Sequence, residues 1–333
     1  MDKVMSWHVE VIPRKTQQMS NYGNYRLENY LREFGFGMFA HTSITRILRT
    51  FHAPAGLIDK FDESKWAYVA EWITEHYAYC IRPYDGSSLG LERLSPRSPI
   101  WIFWWQGMDE APRLVRACVD SIVRHAEEHP VHIITKSNYV EYVEIDGHIV
   151  DKAERGMISF THFSDILRFN LMKQRGGFWL DSTLYLTDSL PSISSGCPYF
   201  TQPLNFGPGP WTDFLQGSGA NNPFTTSVAD ILNAYILDHE QMLTYLLMDC
   251  CMRAVYESSE HYRNMINLVP NVKNDMFALT DALSMPFSIE KWEAIKWSPN
   301  FASKLSYKEK YPSEIDGKQT FYGKLLAEGR LPE

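Results

Sequence analysis

The chain has 333 residues, of which 44% are apolar and 22% charged, so it is long enough to bury a sizeable core. Its net charge of −8 argues against a nucleic-acid-binding protein, which needs a basic surface to replace phosphate counterions. Its five cysteines form no CxxC pair and no Cys/His cluster, which argues against a disulfide framework or structural zinc and favours reduced thiols and a cytoplasmic location.

Residues 1–95 are predicted to form a helical extension. The first 20 residues lack a basic stretch followed by an apolar core, so no signal peptide is expected. Helical spacing is found from Tyr22 to Arg32 and from Glu63 to Tyr79. The segment from Phe36 to Phe51 mixes apolar side chains with two arginines. It is predicted to pack on the main domain, and the less favoured alternative is an amphipathic helix on a membrane surface.

The loop from Pro83 to Pro99 is rich in Gly, Ser and Pro, which places a domain boundary there. Residues 96–333 form the second predicted domain. The run from Ile100 to Trp105 is the longest clean apolar run; it is typical of a buried strand and too short to cross a membrane. After an amphipathic helix, a second strand is predicted from Val131 to Thr135.

A third strand follows a further helix. That helix is predicted from Thr161 to Gln174, and the glycine pair Gly176 and Gly177 ends it before the strand from Phe178 to Leu180. The alternation of strands and helices predicts an α/β fold with a mostly parallel sheet flanked by helices. The last third of the chain is predicted to be mainly helical, with a long helix from Glu240 to Tyr256.

The stretch from Ser164 to Thr183, SDILRFNLMKQRGGFWLDST, holds the predicted site. Asp165 and Arg168 are three residues apart on a predicted helix, so they share a face and together could hold hydroxyls and phosphate oxygens. The third strand brings Asp181 to its carboxyl end, where ligands bind in open α/β sheets. An intrahelical ion pair and a turn aspartate are the structural alternatives, but the convergence of three polar groups favours a site.

This stretch resembles the capsular polysaccharide synthesis protein family and, more distantly, glycosyltransferases with an Asp-x-Asp motif, such as the mannosyltransferase-like sugar-binding region of glycosyltransferase family 32. The strand from Pro99 to Gly107 is similar to the first strand of these enzymes. The similarity covers residues 98–188 well and residues 221–308 loosely. It implies a GT-A-type, Rossmann-like domain that transfers a sugar from a nucleotide-diphosphate sugar to a glycan or lipid-linked acceptor. It also implies a divalent cation, Mn²⁺ or Mg²⁺, and retention of anomeric configuration.

The resemblance assigns roles by position. Asp165 and Arg168 would contact the donor sugar, and Arg168 would reach the phosphates. Asp181 holds the first position of the Asp-x-Asp motif and would bind the ribose, the metal or both. Thr183 holds the second position as a metal ligand, although a hydroxyl is a weaker ligand for a hard cation than a carboxylate. The ion would therefore depend on the diphosphate as well.

Further donor-binding residues are carried over from the same resemblance, namely Trp104, Trp105, Gln106, Gly177 and Asn222. For Asn222, in a Gly-rich loop, a plain turn is the favoured alternative. His162 is expected to be a structural histidine, and Asp249 a solvated helix charge. The segment from Lys304 to Lys308 resembles an element in which the family often has a histidine before the lysine. Because Ser303 stands there, no metal ligand is assigned.

Two functions stay open on the sequence alone. The first is an active glycosyltransferase in surface polysaccharide synthesis. The second is a catalytically silent nucleotide-sugar-binding subunit of a polysaccharide assembly complex, which Thr183 in place of an aspartate would suit. A lipid-linked acceptor would suit peripheral contact with the inner membrane face through the segment from Phe36 to Phe51.

Overall fold

The computed structural model describes residues 27–87, 89–191, 198–203, 207–269, 275–297 and 301–332. In chain order its helices are α1 Leu27–Thr50, α2 Ala55–Tyr77, α3 Arg113–Arg124, α4 Tyr139–Tyr142, α5 Gly147–Glu154, α6 Phe160–Arg175, α7 Pro223–Asp238, α8 Leu247–Ser258, α9 Glu260–Asn267, α10 Ala278–Ala282, α11 Ile289–Trp297 and α12 Phe321–Glu328. Its strands are β1 Ile100–Phe103, β2 Val131–Ile134, β3 Gly177–Leu180, β4 Leu184–Leu186, β5 Tyr199–Thr201, β6 Leu215–Ser218, β7 Ala302–Lys304, β8 Glu314–Ile315 and β9 Lys318–Gln319.

The main sheet has the strand order β2-β1-β3-β6-β5. Strand β1 is parallel to both β2 and β3, whereas β6 is antiparallel to both β3 and β5. Four of these strands therefore run in one direction and β6 runs in the other. This arrangement confirms the predicted α/β fold with a mostly parallel sheet.

Helices cover both faces of the sheet because its central strands are apolar on both sides. In β1, Ile100 and Ile102 belong to one buried cluster together with α3, while Trp101 and Phe103 belong to another together with α6. This alternation is the period of two that a strand imposes on its side chains. The three strands predicted from apolar runs are all present, each within two residues of its predicted bounds.

The turn from α6 into β3 requires glycine. Gly176 adopts φ 65° and ends the helix, and Gly177 follows at φ 104°. A Cβ at Gly177 would lie 2.4 Å from the carbonyl oxygen of Pro99, because β1 passes directly beside it. The glycine pair therefore does what the sequence predicted, which is to turn the chain sharply so that β3 can join β1.

The first two helices pack on the rest of the chain through one apolar cluster, which α1 and α2 share with α6, α7 and α8. The Tyr30 hydroxyl donates to the Met242 carbonyl oxygen at 2.7 Å. After a kink at Gly35, α1 exposes Phe36, and Phe51, which directly follows the helix, is exposed as well. No described helix is long and apolar enough to cross a membrane. The predicted helix from Tyr22 begins outside the described residues.

The predicted long helix from Glu240 to Tyr256 is wrong at its start, since α8 begins only at Leu247. The preceding loop is held by Tyr235 of α7. The Tyr235 hydroxyl donates to the Gln241 carbonyl oxygen at 2.5 Å and accepts from the Leu243 amide at 2.8 Å. These tertiary bonds satisfy backbone groups that a longer helix would have paired internally.

Candidate active site

The three residues singled out in the sequence meet at the carboxyl end of β3. Asp165 and Arg168 lie in the middle of α6, and Asp181 directly follows β3. The Arg168 guanidinium lies between the two carboxylates, with Nη2 3.3 Å from Asp165 Oδ1 and 3.4 Å from Asp181 Oδ1. One cationic group therefore joins the helix to the strand tip.

The guanidinium of Arg168 is buried and is contacted by carboxylates, a backbone carbonyl and an aromatic ring. Its side chain is only 3% exposed, and its Cζ lies 4.9 Å above the Trp179 ring centroid. Its Nη1 donates to the Asp213 backbone carbonyl, whereas its buried Nε has no hydrogen-bond partner among the described residues. Asp181 also accepts a 2.8 Å bond from the Trp179 indole. These contacts fix both groups before any ligand arrives.

Lys304 is the first site residue that the sequence interpretation missed. Strand β7 pairs antiparallel with β4, with Leu184 opposite Lys304. The Lys304 ammonium donates to the Asp181 carboxylate and, at 2.8 Å, to the Thr183 hydroxyl. The similarity of this segment to a family element indicated the lysine, but only the pairing of β4 with β7 shows where it points.

Two further aspartates complete the cluster, and the expectation of a solvated Asp249 is wrong. Asp249 is only 7% exposed, and its Oδ1 accepts from the Trp211 indole at 3.0 Å. Asp213 lies two residues before β6, whose Leu215 is opposite Leu180 at the end of β3. The apolar neighbours of Asp249 on both sides, in LLMDCCM, are the sequence signal for a buried carboxyl.

The carboxyl groups of the cluster titrate differently. Burial raises the pKa of Asp165 well above its usual range and also raises that of Asp213. Burial and the nearby Asp213 raise the pKa of Asp249 to about 7. For Asp181 burial acts in the same direction, but Lys304 and Arg168 outweigh it and lower the pKa. Asp181 is therefore ionised at neutral pH, while its neighbours readily hold protons.

Asp249 should make the folded protein less stable as the pH rises from 4 towards 7, and Asp249→Asn should remove that contribution. The folded protein keeps a proton on Asp249 that the unfolded chain loses near pH 4, so ionising the carboxyl costs up to about 1.4 kcal/mol per pH unit. Asp165 and Asp213 contribute in the same direction. Urea unfolding at pH 5 and pH 7.5 measures the effect, and equal slopes for wild type and variant would contradict it.

The two predicted metal ligands hold an ammonium. Asp181 and Thr183 both accept from Lys304, so a divalent cation would have to displace that lysine. Within the described ranges, no group of three or more His, Cys, Asp or Glu side chains is placed to hold a metal ion. As they stand, these residues do not fit a resident ion, and the divalent cation stays a prediction of the resemblance.

The tryptophans predicted to border the donor point to opposite sides of the sheet. Trp104 follows β1 at the site edge, and its half-buried ring meets the Tyr307 ring edge-on with centroids 5.3 Å apart. Its Nε1 has no hydrogen-bond partner in the described part of the chain. Trp105 instead packs into the core against Phe160 and Phe163. Gln106 is exposed.

The structure does not bring Gly177 and Asn222 together with Asp181. Gly177 opens β3 and pairs with Ser218, at the end of the strand opposite to Asp181. Asn222 caps α7 near that same end, where its side chain accepts from the Phe224 and Thr225 amides. Both residues shape the backbone there, and for Asn222 this is the turn role favoured from the sequence.

His162 is buried on the first turn of α6, as expected of a structural histidine. Its Nδ1 lies 3.0 Å from the hydroxyl of the helix cap Ser159. Burial lowers its pKa to about 4, so the imidazole is neutral at physiological pH. It therefore adds no charge to the cluster one turn further along the helix.

Comparison with known proteins gives one strong match. A family model described as capsular polysaccharide synthesis protein matches residues 54–325. A solved structure described as PaToxG glycosyltransferase is 11% identical, over 73% of this chain and 100% of that chain, with a TM-score of 0.42. A solved structure of a transferase mutant with two cysteine-to-serine substitutions is 12% identical, over 57% of this chain and 93% of that chain, with a TM-score of 0.35. No curated protein matches significantly. Neither structural similarity is strong enough to support an argument about function.

Proposed function

This chain belongs to the capsular polysaccharide synthesis protein family, and we propose that it is a glycosyltransferase that uses a nucleotide-diphosphate sugar. The observation that carries the proposal is the cluster at the end of β3, where Arg168 and Lys304 flank the ionised Asp181. Fixed cations beside hydroxyl-binding carboxylates suit a ligand that combines a sugar with a diphosphate.

In the proposed reaction the bond between the anomeric carbon and the diphosphate oxygen breaks, and its electron pair stays on that oxygen. The acceptor hydroxyl forms the new bond to the anomeric carbon. Arg168 and Lys304 stabilise the charge that develops on the departing diphosphate. The sugar becomes cation-like in the transition state, so the Asp181 carboxylate stabilises it by charge, and Asp165 orients its hydroxyls.

The proton of the acceptor hydroxyl needs a base, and Asp249 is suited to take it. A general base works best when its pKa lies near the working pH, and burial brings the pKa of Asp249 to about 7. The indole bond from Trp211 at 3.0 Å fixes the carboxyl in the cluster. Trp104 follows β1, is half-buried, and its Nε1 has no hydrogen-bond partner among the described residues; it is the aromatic surface proposed for the nucleoside.

A panel of nucleoside diphosphates and nucleotide sugars, each with and without Mn²⁺, should reveal one that raises the melting temperature. A ligand at about 100 times its dissociation constant stabilises the folded state by about 2.7 kcal/mol. With that donor, release of nucleoside diphosphate should depend on an added saccharide acceptor. Binding without acceptor-dependent release would favour the silent nucleotide-sugar-binding subunit, and a flat panel with folded protein would refute both functions.

Three finer features stay predictions. Retention of configuration is read from the anomeric proton of the product by NMR. The acceptor, a glycan or a lipid-linked saccharide, is identified as the compound that supports release of nucleoside diphosphate.

Peripheral membrane contact depends on two exposed side chains, Phe36 on α1 and Phe51 directly after it. Arg49 on that helix is engaged elsewhere, because its Nη2 pairs with Asp62 at 2.5 Å.

A further inference from the structure

Lys304 lies where the sequence resemblance expects a divalent cation. Its ammonium contacts both predicted metal ligands, the carboxylate of Asp181 and the hydroxyl of Thr183. An ammonium has three N–H donors. Among the residues that the structure describes, these two contacts are the hydrogen bonds of the ammonium, so one N–H remains for an oxygen of an incoming ligand.

The backbone around Lys304 is held in place from two sides. On one side β7 pairs with β4, and the Leu305 amide donates to the Thr183 carbonyl oxygen at 2.9 Å. On the other side the Lys304 amide donates to Met276 at 2.6 Å, and the Thr280 hydroxyl donates to the Lys304 carbonyl. The backbone of Lys304 is therefore fixed by strand pairing and by hydrogen bonds on both sides.

The side chain of Lys304 is also placed for a charge role. Its ammonium lies 5.0 Å from the Phe214 ring centroid, a cation–π contact on the residue that directly precedes β6. With Arg168 it brings a second fixed positive charge to the carboxylate of Asp181. A divalent cation would have one carboxylate and one hydroxyl as protein ligands. It would compete for these two oxygens with the ammonium of Lys304, which is part of the chain and always at the site.

We propose that Lys304 replaces the divalent cation and that this transferase stabilises its departing diphosphate without a metal ion. The inference rests on the proposed function and deepens it. As the bond from the anomeric carbon breaks, its electron pair moves onto the diphosphate oxygen. The free N–H donor of Lys304 binds the diphosphate, and Arg168 supplies the second positive charge. The proton of the acceptor passes to Asp249, so no further reactant is needed.

The experiment uses a donor that binds the wild-type protein in the thermal panel, so that a failure of the proposed function is recognised first. Transfer and binding of the corresponding nucleoside diphosphate are then measured in excess EDTA and in Mn²⁺ or Mg²⁺. The transfer rate and the nucleoside diphosphate affinity of the wild type should each change less than about twofold between these conditions. Lys304→Met should lose about 100-fold in rate in EDTA, as expected for one lost charge-stabilising contact. Lys310→Met, an exposed lysine of the same segment, is the matched control and should behave as wild type.

The outcomes separate the two claims. Wild-type activity that disappears in EDTA and returns with Mn²⁺ overturns the metal-free proposal while leaving the transferase intact, whatever the variants do. Full activity of Lys304→Met in EDTA overturns it as well. If Lys304→Met does not fold, Lys304→Arg keeps the charge and should retain metal-free binding of the nucleoside diphosphate. Loss of that binding in folded Lys304→Arg, with recovery on adding Mn²⁺, counts against the proposal.

Discussion

Asp181→Asn should reduce transfer by about 100-fold or more while leaving the protein folded. The amide keeps an oxygen that can accept from Trp179 and Arg168, so the local geometry survives. It removes the negative charge that holds Lys304 and Arg168 in place and that faces the cation-like sugar. The loss is measured as kcat/KM with saturating acceptor, and circular dichroism verifies the fold.

The matched control for this change is Asp188→Asn, an exposed aspartate shortly after β4. It should leave kcat/KM within about twofold, because a solvated carboxyl outside the cluster contributes little to the site. Asp181→Asn with nearly wild-type kcat/KM would show that the carboxylate at the end of β3 is not part of the reaction. The cluster would then be a structural ion network.

Arg168→Met should destabilise the protein by about 3–5 kcal/mol, because it leaves the Asp165 carboxyl without its cation and Asp181 with Lys304 alone. Methionine preserves much of the apolar stem but removes the guanidinium, whose Cζ lies 4.9 Å from the Trp179 ring centroid. The cost should be smaller at pH 5 than at pH 8, because burial raises the pKa of Asp165 and a protonated carboxyl no longer needs a partner. Urea unfolding at both pH values measures the difference.

Arg175→Met at the exposed end of the same helix is the comparison, and it should cost less than about 1 kcal/mol. Arg168→Lys tests the geometry separately from the charge. A lysine ammonium cannot reach Asp165, Asp181 and the Asp213 carbonyl at once. The free energy lost from the transition state, calculated from kcat/KM, should therefore exceed the loss in the free energy of unfolding. An equal cost for Arg168→Met at pH 5 and pH 8 would contradict the coupling to Asp165.

The sequence was sufficient for the parts of the site that lie close together along the chain. Asp165, Arg168 and Asp181 fall within 20 residues, and helix spacing plus a glycine turn places them at one edge of the sheet. Apolar runs identified β1 and β3 because fully buried strands are apolar on both faces. The run that identified β2 is mostly apolar but includes His132, and this strand is largely half-buried. The family resemblance named the same stretch, and the family match agrees with it.

The rest of the site depends on contacts between distant segments. Asp213 reaches the cluster only because β6 pairs with β3, and Lys304 only because β7 pairs with β4. No periodicity within one segment reports such pairings. Asp249 differs for another reason, because its place on a helix predicts a solvated charge, whereas its neighbours are apolar on both sides and it is buried. Gly177 is a glycine because any side chain there would clash with the backbone of Pro99, and not because it binds a ligand.

The pairing of Asp181 with Lys304 joins residues 123 positions apart, and this separation has a consequence for biosynthesis. A ribosome adding residues at roughly 5–20 per second needs several seconds to pass from one to the other. During that time the nascent chain already contains its buried aspartates but lacks one of their two cations. We therefore expect the emerging domain to reach its full stability only after β7 has left the exit tunnel, which makes chains that end before residue 302 substrates for proteolysis.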